Sequence, residues 1–206
     1  MNPNPKFSKL ATPQQLQKTI KALAENGFTV ELVENGKEAK EKVLAVIPKG
    51  AEVFTMTSQT LEETGIAKEI NESNKYDALR PKLYAMDRNT QEREMIKLGT
   101  SPNWVVASVH AITEEGHILI ASATGSQLSP EAYAGEKVIF VVGTQKLVTD
   151  TSEGIKRIYE YAYPLEDERA QQAYGAGSGV NKILIINKEI RPNRIYIILV
   201  KEKLGF

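Results

Sequence analysis

The chain has 206 residues, of which 41% are hydrophobic, and it carries 26 Lys and Arg residues against 26 Asp and Glu residues. This zero formal net charge argues against a general nucleic-acid-binding role, which normally requires a basic excess, and leaves a local basic patch as the alternative. The sequence has no cysteine, which excludes disulfides and any thiolate-bound zinc or iron–sulfur cluster held by this chain. It also has no run of about 18 apolar residues and no apolar leader, so we expect a cytoplasmic protein without membrane association.

The first 70 residues alternate between helical and strand patterns. Residues 1–11 contain two prolines and few apolar side chains, which predicts a flexible lead-in before a single α/β domain over 12–206. Thr12 and Pro13 then start a helix with apolar residues at helical spacing. Strands are predicted at Phe28–Val33 and Ala51–Met56, with a helix between them. Thr60 and Glu63 have the spacing of a capping box for the next helix, which Gly65 interrupts or caps.

The remaining two thirds of the chain begin with a long polar connection. Residues 73–90 are expected to contain at most one short strand, at Leu83–Met86, before a helix over 91–98. Further elements are predicted from apolar runs and caps: strands at Trp104–Val109, Ile118–Ala121 and Val138–Val142, a helix over Ser152–Tyr163 with a possible continuation over 165–174, and a β-hairpin of Lys182–Asn187 with Ile195–Lys201. The predicted fold class is α/β, with a mostly parallel central sheet and helices on both faces.

Two apolar strands run directly into small polar turns, and these turns are the first candidates for a ligand site. Ile118–Ala121 leads into residues 122–127 (SATGSQ), where successive backbone N–H groups could form an anion-binding nest. Val138–Val142 leads into residues 143–146 (GTQK), where Lys146 could neutralise a phosphate or carboxylate. Turns at the carboxyl ends of strands are where open α/β sheets bind ligands. Ordinary turn chemistry explains both segments equally well.

A third glycine-rich segment covers residues 174–182 (YGAGSGVNK). It follows a helix and precedes a strand, so it is not a dinucleotide fingerprint, and it lacks the lysine–hydroxyl pair of a phosphate-binding loop. A simple helix cap is the alternative. The two histidines, His110 and His117, flank a predicted hairpin with Glu114 and Glu115 between them. A solvated turn is a better explanation for these four residues than a metal site.

Taken in order, these segments resemble the lactate utilisation (LUD) domain family. The resemblance covers about Ser58–Phe206 and rests on residues 58–65 (SQTLEETG), 118–127, 138–146, 175–181 and 195–200. It implies the fold of the superfamily that contains ribose-5-phosphate isomerase, glucosamine-6-phosphate deaminase and CoA transferase. It also implies a role in lactate oxidation alongside iron–sulfur partner proteins.

One position departs from the family pattern. The family places a Glu before the Thr-Gly of the first turn, and this chain has Ala123 there. Covalent catalysis through that carboxylate is therefore disfavoured, unless the fold brings Glu114 or Asp150 close.

From these observations we expect a cytoplasmic lactate utilisation component that binds a small anionic metabolite. The alternatives are a non-catalytic subunit that docks on iron–sulfur or flavin partners, and an isomerase- or CoA-transferase-like enzyme. Neither a catalytic residue nor a cofactor is assigned, and no metal is expected. The predicted ligand-binding residues are Ser122, Thr124, Gly125, Ser126, Gly143, Thr144, Lys146, Gly177, Ser178 and Asn181.

Overall fold

The computed structural model describes residues 2–206, which form helices packed around two β-sheets. The α-helices are α1 (Pro13–Glu25), α2 (Gly36–Val46), α3 (Gln59–Glu63), α4 (Ile66–Glu72), α5 (Leu79–Ala85), α6 (Arg88–Thr100), α7 (Thr151–Arg157) and α8 (Tyr163–Tyr174). The strands are β1 (Thr29–Val33), β2 (Glu52–Thr55), β3 (Asp77–Ala78), β4 (Trp104–Ala107), β5 (Ala111–Thr113), β6 (Ile118–Ser122), β7 (Lys137–Gly143), β8 (Leu147–Val148), β9 (Lys182–Ile186) and β10 (Ile195–Val200).

The central sheet has six strands, all parallel, in the order β1-β10-β7-β4-β2-β3. Its middle strands are buried on both faces, which explains why β7 and β10 are almost continuous apolar runs. The α/β class and the parallel central sheet predicted from the sequence are therefore confirmed. Because all six strands point the same way, their carboxyl ends lie along one edge of the sheet.

Two apolar cores cover the two faces of the central sheet. On one face, buried residues of α2, α3 and α4 pack against alternate strand residues such as Val106, Ile139 and Ile198. On the other face, α1 and α5 pack together with the second sheet against Val105, Phe140 and Ile197. The outer side of the second sheet is covered in turn by α7 and the π-helical segment Ile158–Ala162, which joins α7 to α8.

The second sheet has the strand order β8-β5-β6-β9. It contains an antiparallel β5–β6 hairpin, and β9 extends it antiparallel to β6. The two C-terminal strands both exist at their predicted positions, but they do not pair with each other, because β10 inserts between β1 and β7 of the central sheet. Residues 187–194 therefore cross from one sheet to the other.

Two further segments differ from the sequence-based expectation. The predicted connection over 73–90 contains α5, since Leu79 and Leu83 are one helical turn apart and both are buried, while Pro81 sits in the first turn, where proline is tolerated. The N-terminal lead-in is partly docked. Pro5–Ser8 form a 3₁₀ turn with a buried Phe7, and the Asn4 N–H donates to the Glu160 carbonyl over 2.8 Å. Within residues 2–206, none of the helices combines the length and apolar character needed to cross a membrane.

Candidate functional site

A cleft of about 360 Å³ opens at the carboxyl edge of the central sheet. Three neighbouring strands of that sheet, β2, β4 and β7, deliver residues to it as they end, and β6 of the second sheet contributes the 122–127 turn. The helix α8 and the glycine-rich segment after it also line the cleft. This is the position at which parallel α/β sheets bind ligands.

Lys146 is the buried amine of the cleft. It lies three residues beyond β7 in a short 3₁₀ turn, and its side chain is almost completely buried although it lines the cleft. Its Nζ donates to the Thr60 hydroxyl over 3.1 Å and to the Ser108 hydroxyl over 3.0 Å. Burial, and secondarily the nearby Arg157 charge, hold the pKa of Lys146 well below its usual value of 10.5.

Arg157 lies behind Lys146 and is fully buried. Its Nε donates to the Gln145 carbonyl over 3.4 Å, its Nη1 donates to the His110 carbonyl, and its guanidinium lies over the Tyr161 ring. Its Nη2 has no hydrogen-bond partner among residues 2–206. Burial lowers the pKa of Arg157 to about 10, so this side chain stays charged at neutral pH.

His110 lines the same cleft as a neutral imidazole. Its Nδ1 accepts the Ala121 backbone N–H over 3.1 Å, so this nitrogen carries no proton and Nε2 carries it instead. Burial, followed by the charges of Lys146 and Arg157, lowers the pKa of His110 to about 3. His110 therefore adds no charge near neutral pH.

No carboxylate in the part of the chain that the structure describes pairs with Lys146 or with the neighbouring Arg157. Within residues 2–206, neither Lys146 nor Arg157 forms an ion pair. The nearest acid that acts on Lys146, Glu63, already accepts the Gly205 N–H over 2.7 Å. Because unpaired buried charge is unfavourable, an anion beside Lys146 would be stabilised.

The 122–127 turn uses much of its own hydrogen-bonding capacity. The Gly125 N–H donates to the Ser122 hydroxyl over 2.8 Å, and the Ser126 N–H donates to Thr124 Oγ1 over 3.3 Å. Gly125 has φ +88°, the left-handed backbone that favours glycine. Two of the backbone N–H groups expected to form the anion nest are thus already bound to side-chain oxygens, and the exposed side chains of Thr124 and Ser126 are further contacts that this turn offers.

The part of the cleft lined by α8 contains an ion pair in which each member neutralises the other. Arg169 on α8 donates from Nε and Nη2 to the two carboxyl oxygens of Glu166, both over 2.7 Å. This bidentate pair raises the pKa of Arg169 and neutralises both groups. In the following segment, the Ser178 N–H donates to Asp167 Oδ1 over 2.8 Å. Lys146 is therefore the basic side chain of the cleft lining that has no ion-pair partner within residues 2–206.

Six of the ten residues predicted from the sequence line this one cleft, and four do not. The Asn181 amide donates to the Ala123 carbonyl over 3.1 Å and so holds the turn from outside, while Thr144 is buried beneath the cleft. The lining residues are Ser122, Thr124, Ser126, Lys146, Gly177 and Ser178; the others are Gly125, Gly143, Thr144 and Asn181.

Gly143 serves packing. A Cβ at this position would clash with the Gln145 side-chain oxygen and would lie 2.7 Å from the Glu202 carbonyl oxygen and 2.8 Å from the Leu204 nitrogen. The glycine thus lets the C-terminal segment cross the end of β7, where the Gln145 amide donates to the Leu204 carbonyl over 2.8 Å.

Gly143→Ala is accordingly expected to lower the free energy of unfolding by about 1–3 kcal/mol, because backbone atoms must move to accept the methyl group. Chemical denaturation measures the change. Gly99→Ala is the control: it lies in α6 with only ordinary contacts and should be neutral or stabilising by up to about 1 kcal/mol. Equal stability of Gly143→Ala and the wild type would contradict this packing role.

The sequence patterns did not indicate several residues that line the cleft. Thr60 is predicted only as a helix cap and Ser108 is not singled out, although the hydroxyl groups of both accept hydrogen bonds from Lys146. Glu131, which follows the 122–127 turn, also lines the cleft and is fully buried. The acids considered as substitutes for the missing family carboxylate lie elsewhere: Glu114 pairs with Lys18 over 2.8 Å, and Asp150 caps α7.

No group of three or more potential metal-ligating side chains is present within residues 2–206. His117 and Glu115 approach each other to 3.7 Å at the β5–β6 turn, whereas His110 is in the cleft. The two histidines therefore belong to different surroundings.

The architecture and the cleft together define an α/β protein with a cleft at the carboxyl edge of a parallel sheet. Residues 16–200 match the LUD domain family, and the chain belongs to this family.

One solved structure agrees with that fold. A DUF162 family protein from Deinococcus radiodurans superposes with a TM-score of 0.56 at 11% identity, covering 93% of this chain and 99% of that one. eIF2B beta from Chaetomium thermophilum matches with a TM-score of 0.37 at 19% identity, over 59% of this chain and 42% of that one. No curated protein sequence matches this chain.

Proposed function

We propose that this LUD-domain protein binds a small anionic metabolite, a carboxylate or phosphate compound, in the cleft around Lys146, and that it acts in lactate utilisation. The observation that carries the proposal is the buried Lys146 amine in the cleft lining, which has no ion-pair partner within residues 2–206 and lies close to the charge of Arg157. The hydroxyls of Thr124, Ser126 and Ser178, around the same cleft, would orient the bound anion. The role in lactate utilisation follows the name of the family.

Isothermal calorimetry with lactate, pyruvate, glycerol 3-phosphate and a CoA thioester tests the proposal. At least one anion should bind with an affinity that falls on addition of salt, because the interaction is charge-driven. Lack of binding to all four would contradict the proposal.

Binding should also take up protons. An anion beside Lys146 raises the pKa of this amine back toward 10.5, so between the lowered and the restored pKa the complex holds a proton that the free protein lacks. Calorimetry in buffers of different ionisation enthalpy, from about pH 6 to about pH 10, measures this uptake. Lys146→Met should abolish it, and a binding enthalpy independent of the buffer throughout that range would contradict the assigned contact.

An isomerase-like enzyme, in keeping with the superfamily resemblance, is the second candidate. The cleft combines a buried amine, Lys146, with a buried carboxyl group, Glu131, as proton-transfer groups. CoA-transferase chemistry is less well supported. It needs an ionised carboxylate nucleophile, whereas Glu166 is paired with Arg169 and burial raises the pKa of Glu131. Aldose–ketose interconversion should therefore be the more productive screen, and thioester exchange should be silent.

The third candidate function is that of a subunit in a redox assembly, and the absence of cysteine bears on it. With no thiolate to bind an iron–sulfur cluster in this sequence, electron transfer during lactate oxidation would depend on an iron–sulfur or flavin partner protein. Co-purification from the native host tests this candidate. Turnover of lactate with an electron acceptor by the isolated chain would contradict it.

A further inference from the structure

Glu131 is a buried carboxyl group that the fold leaves without a partner. The residue is fully buried in the wall of the cleft, and neither of its carboxyl oxygens accepts or donates a hydrogen bond within residues 2–206. Leaving a buried polar group unsatisfied destabilises a protein, and a leucine of similar size would avoid the loss. A carboxyl group at this position therefore destabilises the fold, so stability does not account for its presence.

The local backbone does not need the Glu131 side chain to hold its shape. Glu131 lies in the short π-helical segment Pro130–Ala134. Arg194, which is not part of this segment, donates hydrogen bonds to its backbone carbonyls. The Arg194 Nη2 donates to the Pro130 carbonyl over 2.9 Å and to the Glu131 carbonyl over 3.0 Å, and its Nε donates to the Gly135 carbonyl over 3.0 Å. Arg194 is itself fixed by Glu189, at 2.7 Å.

The protonation state of Glu131 limits what it can recognise. Burial raises the pKa of Glu131 well above its usual value of 4.5, so the group is a neutral carboxylic acid that offers one O–H donor and one carbonyl acceptor. An alcohol hydroxyl, which both donates and accepts, complements this pair. A second anionic group would be repelled whenever the acid ionised.

We propose that Glu131 binds a hydroxyl group of the ligand whose anionic end is held by Lys146, which makes the ligand a hydroxy acid or a phosphorylated polyol. The proposal rests on the proposed function, because it takes the anion site at Lys146 as given. It adds a residue that determines specificity and a requirement on the ligand: an anion together with a hydroxyl group.

The test uses two ligand pairs that differ only in the hydroxyl content: lactate against propionate, and glycerol 3-phosphate against propyl phosphate. In the wild type, the hydroxylated member of at least one pair should bind about tenfold or more tightly. Glu131→Leu should remove this preference and leave the weaker affinity of the deoxy compound. Glu131→Gln retains a donor and an acceptor and should keep most of the preference.

Stability measurements separate this role from a structural one. Glu131→Leu should raise Tm by about 2–8 °C, since it removes an unsatisfied polar group. The gain should grow as pH rises above 4.5, because unfolded wild type releases the Glu131 proton that the native state retains. A structural carboxyl group would instead give a lower Tm in Glu131→Leu.

The outcomes distinguish the two proposals. If the wild type binds both members of each pair equally, or if Glu131→Leu keeps the preference for the hydroxyl group, the assignment of Glu131 is overturned while the anion site stands. If the wild type binds none of the four compounds, the anion site fails, and the assignment of Glu131 fails with it.

Discussion

Lys146→Met is expected to weaken anion binding by about 30-fold or more, equivalent to about 2 kcal/mol, because it removes a charge-assisted contact from a buried site. Methionine has nearly the length of the lysine side chain and carries no charge. Calorimetry with the tightest-binding anion measures the change. Affinity unchanged from the wild type would exclude Lys146 from the site.

A control variant and a stability measurement test whether the effect of Lys146→Met is specific to the anion site. Lys182→Met removes an exposed lysine beside Gly125 and should change affinity less than about threefold, since an exposed charge contributes little. Stability should not fall by more than about 1 kcal/mol in Lys146→Met, because the variant also relieves the burial of an amine without an ion-pair partner. A large loss of stability would indicate that Lys146 mainly supports the fold.

Arg194→Ala is expected to lower the free energy of unfolding by about 3–5 kcal/mol, the largest effect on stability that we anticipate. The substitution leaves the nearly buried Glu189 carboxylate without its ion-pair partner, and it removes the Arg194 donors from the Glu131 and Gly135 carbonyls. The Pro130 carbonyl loses one donor and keeps the Gly135 N–H. Chemical denaturation measures the loss.

Arg191→Ala is the matched control for Arg194. Arg191 is exposed, its guanidinium lies over the Tyr133 ring and it donates to the Tyr133 carbonyl, so its removal should change stability by less than about 1 kcal/mol. Similar losses in the free energy of unfolding in both variants would show that the buried contacts of Arg194 stabilise the fold no more than the exposed contacts of Arg191.

Local patterns were sufficient for most elements of the fold. Buried strands such as β6 and β7 appear as apolar runs, and Thr12 caps α1 as expected, with its hydroxyl accepting the Gln15 N–H over 3.2 Å. The pairing of strands is not a local property. Consecutive C-terminal strands favoured a hairpin, but the registers of β9 with β6 and of β10 with β7 depend on contacts tens of residues away.

The sequence predicted that Ser126, Lys146 and Ser178, remote along the chain, lie near one another, and all three line one cleft. Parallel-strand geometry accounts only for Lys146, which follows β7 of the central sheet, whereas Ser126 follows β6 of the second sheet and Ser178 precedes β9. The sequence did not predict which of these residues are buried. Gly143 was predicted as a ligand contact but accommodates the C-terminal segment, and Glu131, in an ordinary polar-looking SPEAY sequence, is a fully buried acid.

The central claim, that the Lys146 amine beyond the end of β7 binds an anion, is tested most directly by crystals soaked with glycerol 3-phosphate. The phosphate should appear in the cleft with one oxygen about 2.7–3.2 Å from the Lys146 Nζ. Ordered phosphate elsewhere on the molecule, with the cleft empty at a concentration at which calorimetry shows binding, would contradict it.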